Sequence, residues 1–329
     1  MPFLTIARNA CVESIRQPVF MVLLMAGIVG LVLNVNLAAF TLEDDDKLFL
    51  DLGLSTLFLT GLLLAAFTAT NVLTREIDNK TVLTVVSKPV SRPAVVIGKY
   101  LGVAAALALG YATLAAVFLL AVRHRVQSSV MMDDTFDLPV LVFAVLFGGL
   151  AVLGAGLANY LFRWPFHSTF VTSLAVAVLA AVSVVSCIDR NWRFQSPLVE
   201  WQPQLMIALA LVFEAILVLA AVAIAASTRL GPASTLMACL AVFGTGLVSE
   251  YFLGSVVEQA VSRPAWVRVA CWPLYAAVPN LQFFWPADAL TQGHAITISY
   301  LGMVTLYAAL VVTALLSVAV LLFQHRDVG

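Results

Sequence analysis

Long apolar runs alternate with short polar connections along the whole chain. Eight runs are long enough to cross a hydrocarbon core about 30 Å thick as an α-helix. The predicted spans are 19–40, 52–73, 94–122, 139–162, 168–188, 204–226, 232–253 and 297–323. Lipid offers the backbone no hydrogen-bond partner, and the sequence lacks the period-2 pattern of barrel strands. The pattern therefore predicts an all-α integral membrane protein, a polytopic bundle of about eight transmembrane helices in a single domain over residues 1–329.

Residues 1–18 predict a helix of a different kind. Their apolar side chains form one helical stripe, with Arg8 and Arg16 largely off it, which is the pattern of a helix lying in the membrane surface. The stripe comprises Phe3, Ile6, Ala7, Ala10, Cys11 and Ile15. Pro18 marks the turn into the bilayer, and the apolar run 19–40 is longer than the core of a cleaved signal peptide. We therefore expect an N-terminal interfacial helix followed by a retained first span.

The distribution of charge predicts which side of the membrane holds the chain termini. Eight spans place both termini on one side, and that side carries ten of the Lys and Arg residues against seven on the other. Acidic residues such as those of 43–46 and 133–137 fall opposite the termini. By the positive-inside rule, both termini are predicted to be cytoplasmic in a multi-pass protein.

Composition excludes several classes of function. The chain is 62% hydrophobic and 11% charged, against about a quarter charged in a soluble domain. Its net charge of −1 and the absence of a basic block predict no nucleic-acid partner. The four cysteines and four histidines show no spacing that could hold a metal, so no metal site, cofactor or catalytic residue is predicted in this chain.

Two further stretches carry structural hypotheses. Residues 254–296 are rich in aromatic side chains and interrupted by prolines, so short re-entrant or interfacial helices are expected there on the outer face. Residues 149–176 echo 215–242 with nine identities in 28 positions. Ala, Leu and Val dominate both segments, so the echo leaves open whether a helical hairpin was duplicated.

The most informative connection is the polar segment 74–93. Val82, Val85, Val86 and Pro89 follow helical spacing and predict a short helix with a narrow apolar stripe. Pro89 ends that helix, and Ser91 with Pro93 predicts the start of the next one. A rigid helix and turn between two spans can transmit force, whereas an ordinary charged loop would only satisfy the positive-inside bias.

At these residues the chain resembles the membrane-spanning permease subunits of type-two ATP-binding cassette (ABC) transporters. The matching positions are Glu76, Thr81, Pro89-Val90-Ser91-Arg92 and Gly98-Lys99, with Lys80 where the family usually has glycine. The segments 278–290 and 227–234 and the closing residues around Arg326-Asp327 also resemble the family.

The resemblance implies that 74–93 is a cytoplasmic coupling segment docked on a nucleotide-binding ATPase subunit. The residues it assigns to ATPase coupling are Arg75, Glu76, Thr81, Val82, Val85, Val86, Pro89 and Arg92. It also implies a second permease copy, surrounding membrane lipid, a place in the cytoplasmic (inner) membrane, and substrate transport in the export direction.

The chain itself lacks an ATP-binding motif. A P-loop needs glycine where the sequence has Pro93, and Ser or Thr where Tyr100 follows Lys99. ATP and Mg²⁺ are therefore expected in a separate partner subunit.

Glu214 is the one ionisable residue predicted deep in a span, which makes it a candidate for the translocation path. A structural hydrogen bond between helices is an equal alternative. Two other functions stay open, an ion-coupled secondary transporter and a non-transporting membrane scaffold. Loss of function on changing Glu214 would favour the first, and ATPase association without flux would favour the second.

Overall fold

The computed structural model describes residues 2–38, 45–78, 91–124, 137–199, 201–249 and 278–324. The long helices are α1 Pro2–Arg16, α2 Pro18–Ala38, α3 Asp45–Asp78, α4 Arg92–His124, α5 Leu138–Phe162, α6 Phe166–Ser186, α7 Pro203–Ser227, α8 Pro232–Ser249 and, after a short α9 Ala287–Thr291, α10 Ile298–Gln324. In these ranges eight helices are long and apolar enough to cross a membrane. The prediction of an all-α polytopic bundle is confirmed.

The helix α3 extends beyond the predicted second span at both ends. The apolar run predicted 52–73, whereas the helix runs from Asp45 to Asp78. Its charged end segments include Lys, Arg and Glu, which are good helix formers, so hydrophobicity stops before the helix does. The first residues of the polar segment 74–93 thus continue α3.

Helix α7 forms the centre of the bundle. In the most apolar 18-residue stretch of α7, 72% of the residues are buried within the protein, whereas the corresponding stretches of α5 and α10 are each 17% buried. Close approach of α3 to its neighbours depends on glycine, because a Cβ at Gly53 would lie 2.0 Å from the Phe118 ring of α4. A Cβ at Gly61 would lie 2.2 Å from Ile216 of α7. Small residues at such contacts are typical of membrane helix packing.

The apolar stripe of α1 contacts protein, because Gly98 and Gly102 of α4 lie directly against it. A Cβ at Gly102 would come within 2.4 Å of the Ala7 carbonyl oxygen and 2.5 Å of the Ala10 side chain. Small side chains on both helices permit this approach. Burial also raises the pKa of the Cys11 thiol, which suits a packing residue.

Of the segment 254–296, only residues from 278 onward are described. They form a turn of 3₁₀ helix, Gln282–Phe284, and α9. The backbone N–H of Leu281 donates to the Gly246 carbonyl of α8, and Phe284 is buried. This part of the segment therefore lies against the bundle. The predicted stretch 254–277 lies outside the described residues.

Candidate functional site

The helices flanking the predicted coupling segment are joined by a buried lysine. Lys99 lies two turns into α4, and its side chain is 3% exposed. Its Nζ donates to the Val72 carbonyl oxygen of α3 at 3.1 Å. A buried ammonium group is costly without hydrogen bonds, so this contact holds α3 and α4 together where the chain leaves one and enters the other.

A second polar contact ties α3 to the junction between α1 and α2. Gln17 occupies that junction and is 3% exposed. The Asn71 side-chain amide donates to Gln17 Oε1 at 2.9 Å. Because Asn71 precedes Val72, the two contacts act on the same turn of α3. Movement of this turn would therefore be transmitted to α1, α2 and α4.

Two arginines bind the end of the last helix. The Arg92 guanidinium donates to the Gln324 carbonyl at 2.7 Å, and that of Arg229 donates to the Leu322 carbonyl at 3.1 Å. The final carbonyls of a helix lack intrahelical partners and carry partial negative charge. A guanidinium group at this position donates hydrogen bonds to the unpaired carbonyls and offsets their partial negative charge. The start of α4 and the turn after α7 are therefore attached to the end of α10.

These contacts define one end of the bundle, which we call the tethered end. Its residues are Gln17, Asn71, Val72, Arg92, Lys99, Arg229, Leu322 and Gln324. The end of α3, the start of α4, the junction of α1 with α2 and the end of α10 meet there. Arg92 and Arg229 both donate to carbonyls at the end of α10, although they are far apart in the sequence.

The structure places only some of the predicted coupling residues. Arg75 and Glu76 lie in the last turns of α3, and Arg92 is the first residue of α4. Pro93 lies in the first turn of α4, two residues after Ser91, as predicted. Thr81, Val82, Val85, Val86 and Pro89 lie outside the described residues.

Sequence reasoning missed the partners of the tethered end. Gln17 and Asn71 carry no sequence prediction, and Arg229 falls only within the family-like segment 227–234, although each is a polar residue in or beside a long apolar run. The sequence marks Lys99 only as part of a motif, and one of its partners is a backbone carbonyl. A carbonyl acceptor exists at every residue, so sequence alone does not select Val72.

Glu214 lies in α7 as predicted and contacts Thr305 of α10. Glu214 Oε1 and Thr305 Oγ1 are 2.6 Å apart, and Thr305 Oγ1 also lies 2.8 Å from the Leu301 carbonyl oxygen. The Thr305 hydroxyl is the donor, and both Glu214 Oε1 and the Leu301 carbonyl lie within reach of its one proton. This arrangement fits the predicted interhelical hydrogen bond and leaves the translocation-path hypothesis as a prediction.

Within the described ranges, no cluster of three or more His, Cys, Asp or Glu side chains has the arrangement of a metal site. The chemistry of the tethered end is instead that of cationic and amide donors on backbone and amide acceptors. Such contacts fix helices relative to one another. The eight apolar helices of the described ranges define a multi-pass membrane protein. The contacts of the tethered end join the ends of α3 and α10 to the start of α4 and to the α1–α2 junction.

A family model described as ABC-2 family transporter protein matches residues 11–231, about two thirds of the chain. The chain therefore belongs to the ABC-2 transporter family and is the permease of an ABC transporter. The family resemblance deduced from the sequence is confirmed, and the match includes the segment 74–93. Searches of curated proteins and of solved structures returned no match.

Proposed function

We propose that this permease receives the motion of a separate ATPase subunit through residues 74–93 and uses it for export across the cytoplasmic membrane. The observation that carries the proposal is the Lys99–Val72 hydrogen bond, which joins the two helices that flank this segment. A force applied between residues 78 and 91 reaches both helices at once. The apolar stripe that the sequence predicts for Val82, Val85 and Val86 is the proposed docking surface for the ATPase.

The same tethering supports a concerted response of the whole bundle. Asn71 passes displacement of α3 to the α1–α2 junction, while Arg92 passes displacement of α4 to α10. The ATPase binds ATP and Mg²⁺, since this chain has no P-loop. Two ATPase subunits that close around two nucleotides require two permease copies. In this proposal both chain termini and the tethered end lie on the cytoplasmic side, where the ATPase is.

The docking step is tested by co-purification. The tagged full-length chain is extracted from its native host in mild detergent, and associated proteins are tested for ATP hydrolysis. We expect an ATPase to accompany the native chain and to be lost with Val85→Asp. Leu198→Asp is the control, because Leu198 is 77% exposed at the other end of the bundle. An intact native chain without any ATPase would contradict the proposal.

The transmission step is tested with Lys99→Met, which keeps a long apolar side chain but removes the donor to Val72. We expect the variant to retain the ATPase and to lose the effect of ATP on the opposite end. The readout is the ATP-dependent change in labelling of native Cys187 by a membrane-impermeant maleimide, measured by mass spectrometry. Unchanged ATP dependence in the variant would exclude Lys99 as the link.

Glu214 distinguishes the proposed mechanism from ion coupling. Glu214→Gln retains hydrogen-bonding capacity towards Thr305 and cannot exchange a proton. We expect ATP hydrolysis and the ATP-dependent labelling of Cys187 to persist in this variant. Loss of both, with the ATPase still bound, would assign Glu214 a role in transport.

A further inference from the structure

A cavity of about 520 Å³ lies at the end of the bundle opposite the tethered end. Helix α4 starts at the tethered end with Arg92, and its last residues, including Arg123, line this cavity. Apolar walls come from Leu119 of α4, Val182 of α6 and Met206 of α7. The volume falls within the range of about 300–1,000 Å³ typical of small-molecule sites.

A buried cluster of charges borders the cavity. Arg123 Nε lies 3.2 Å from Asp137 Oδ2, and the Arg123 guanidinium also donates to the Val185 and Ile188 carbonyls. Asp137 is fully buried, and Arg190 Nε lies 3.7 Å from the same carboxylate oxygen. One carboxylate thus serves two guanidinium groups, so these three residues carry a net positive charge.

Arg190 is the member of this cluster that can take a further ligand. Its side chain is 39% exposed and lines the cavity, whereas that of Arg123 is 10% exposed. Its other contact is a 3.5 Å hydrogen bond from Nη2 to the Arg123 carbonyl. A guanidinium has five N–H donors, and the described contacts of Arg190 leave some of them available for an anion.

The connection between α6 and α7 next to the cavity has the composition of a membrane interface. Its exposed side chains include Trp192, Phe194, Leu198, Val199 and Trp201. Exposed aromatic residues of this kind concentrate where hydrocarbon meets water. Trp201 and Val199 also line the cavity. The cavity therefore borders the level at which lipid head groups lie.

We propose that this cavity binds an anionic membrane lipid, with the acidic head group on Arg190 and an acyl chain among Leu119, Val182 and Met206. Charge complementarity selects an anionic head group, and the apolar walls select a chain. Binding at this position would attach the ends of α4, α6 and α7 to one ligand.

Native mass spectrometry of the full-length protein in mild detergent tests the site. The protein is titrated with phosphatidylglycerol or phosphatidylcholine of identical acyl chains, and separately with inorganic phosphate. We expect a preference for phosphatidylglycerol. Arg190→Gln should weaken its binding by about tenfold, the size expected for one charge-assisted hydrogen bond, without affecting phosphatidylcholine.

Two further variants keep the test decisive. Ser183→Phe fills the cavity without changing its charge and should weaken both lipids, so it decides the matter if Arg190→Gln fails to fold. Arg193→Gln removes an exposed cation of the same connection and should bind lipid as the native chain does. Equal weakening by Arg193→Gln, no weakening by Ser183→Phe, or displacement of phosphatidylglycerol by inorganic phosphate would overturn the proposal.

Discussion

The two ends of the bundle use cationic side chains in different ways. At the tethered end, Lys99, Arg92 and Arg229 donate to backbone carbonyls of neighbouring helices. At the opposite end, Arg123 and Arg190 also donate to backbone carbonyls, but in addition they share the buried carboxylate of Asp137. A carbonyl contact connects helices without requiring a second buried charge. Where two arginines share one carboxylate, the loss of that one residue removes both ion pairs.

The two ends should therefore respond differently to the loss of one side chain. The tethered end distributes its attachment over several contacts, so loss of one should alter transmission more than stability. The opposite end depends on Asp137, which also accepts the Val140 N–H as the N-cap of α5. Four substitutions test whether the two ends differ in this way.

The largest effect is expected for Asp137→Asn. The substitution leaves two neighbouring guanidinium groups without their carboxylate, and breaking a buried ion pair typically costs about 3–5 kcal/mol. The free energy of unfolding in detergent should fall accordingly, as followed by a thermal shift assay. Asp189→Asn in the adjacent connection is the control, because within the described part of the chain its side chain makes a single 3.5 Å contact, with Asn191. An equal loss of stability in both variants would show that Asp137 contributes no more to folding than Asp189.

Gly102→Ala comes next, at the contact between α1 and α4. The added Cβ would meet the Ala7 carbonyl at 2.4 Å, so α1 must move, with an overpacking cost of about 1–3 kcal/mol. A Cβ added at Gly149 would have no other atom within 4 Å. Gly149→Ala should therefore be neutral or stabilising, since alanine favours helix. Thermal unfolding of the two variants measures the difference. If Gly102→Ala were as stable as Gly149→Ala, the close approach of α1 would not contribute.

Lys99→Met should lower stability by only about 1 kcal/mol, because an apolar side chain of similar length replaces the lost hydrogen bond. Its main effect should be on transmission, as described above for Cys187. Comparison of its thermal unfolding with that of Asp137→Asn tests the contrast between the ends directly. A larger loss of stability in Lys99→Met than in Asp137→Asn would reverse the comparison.

The smallest effect is expected for Arg229→Gln. The residue is exposed, and a cation at a helix C-terminus contributes less than about 1 kcal/mol. The change should appear locally, as faster hydrogen exchange of the last amides of α10 near Gln324. Arg163→Gln, in the turn between α5 and α6, should leave these amides unaffected. Equal exchange rates in both variants would show that Arg229 does not hold the end of α10.

Much of this architecture could be predicted from the sequence. Each span is a long apolar run, and lipid forces such a run into a helix because the backbone must satisfy its own hydrogen bonds. The boundaries were less predictable, since α3 continues through charged residues at both ends. The α1 stripe was found, but its partner was not, because an apolar face is compatible with either lipid or a glycine-containing helix.

The helical class, the eight apolar helices of the described ranges and, through residues 71–102, the family resemblance could all be predicted from the sequence. Those properties follow from local composition and spacing. That Lys99 contacts the Val72 carbonyl, and that Arg92 and Arg229 contact the end of α10, depends on how the helices pack. The same packing brings Arg123, Asp137 and Arg190 into one cluster. A charge count treats every arginine alike, whereas its acceptor depends on which helices lie within reach.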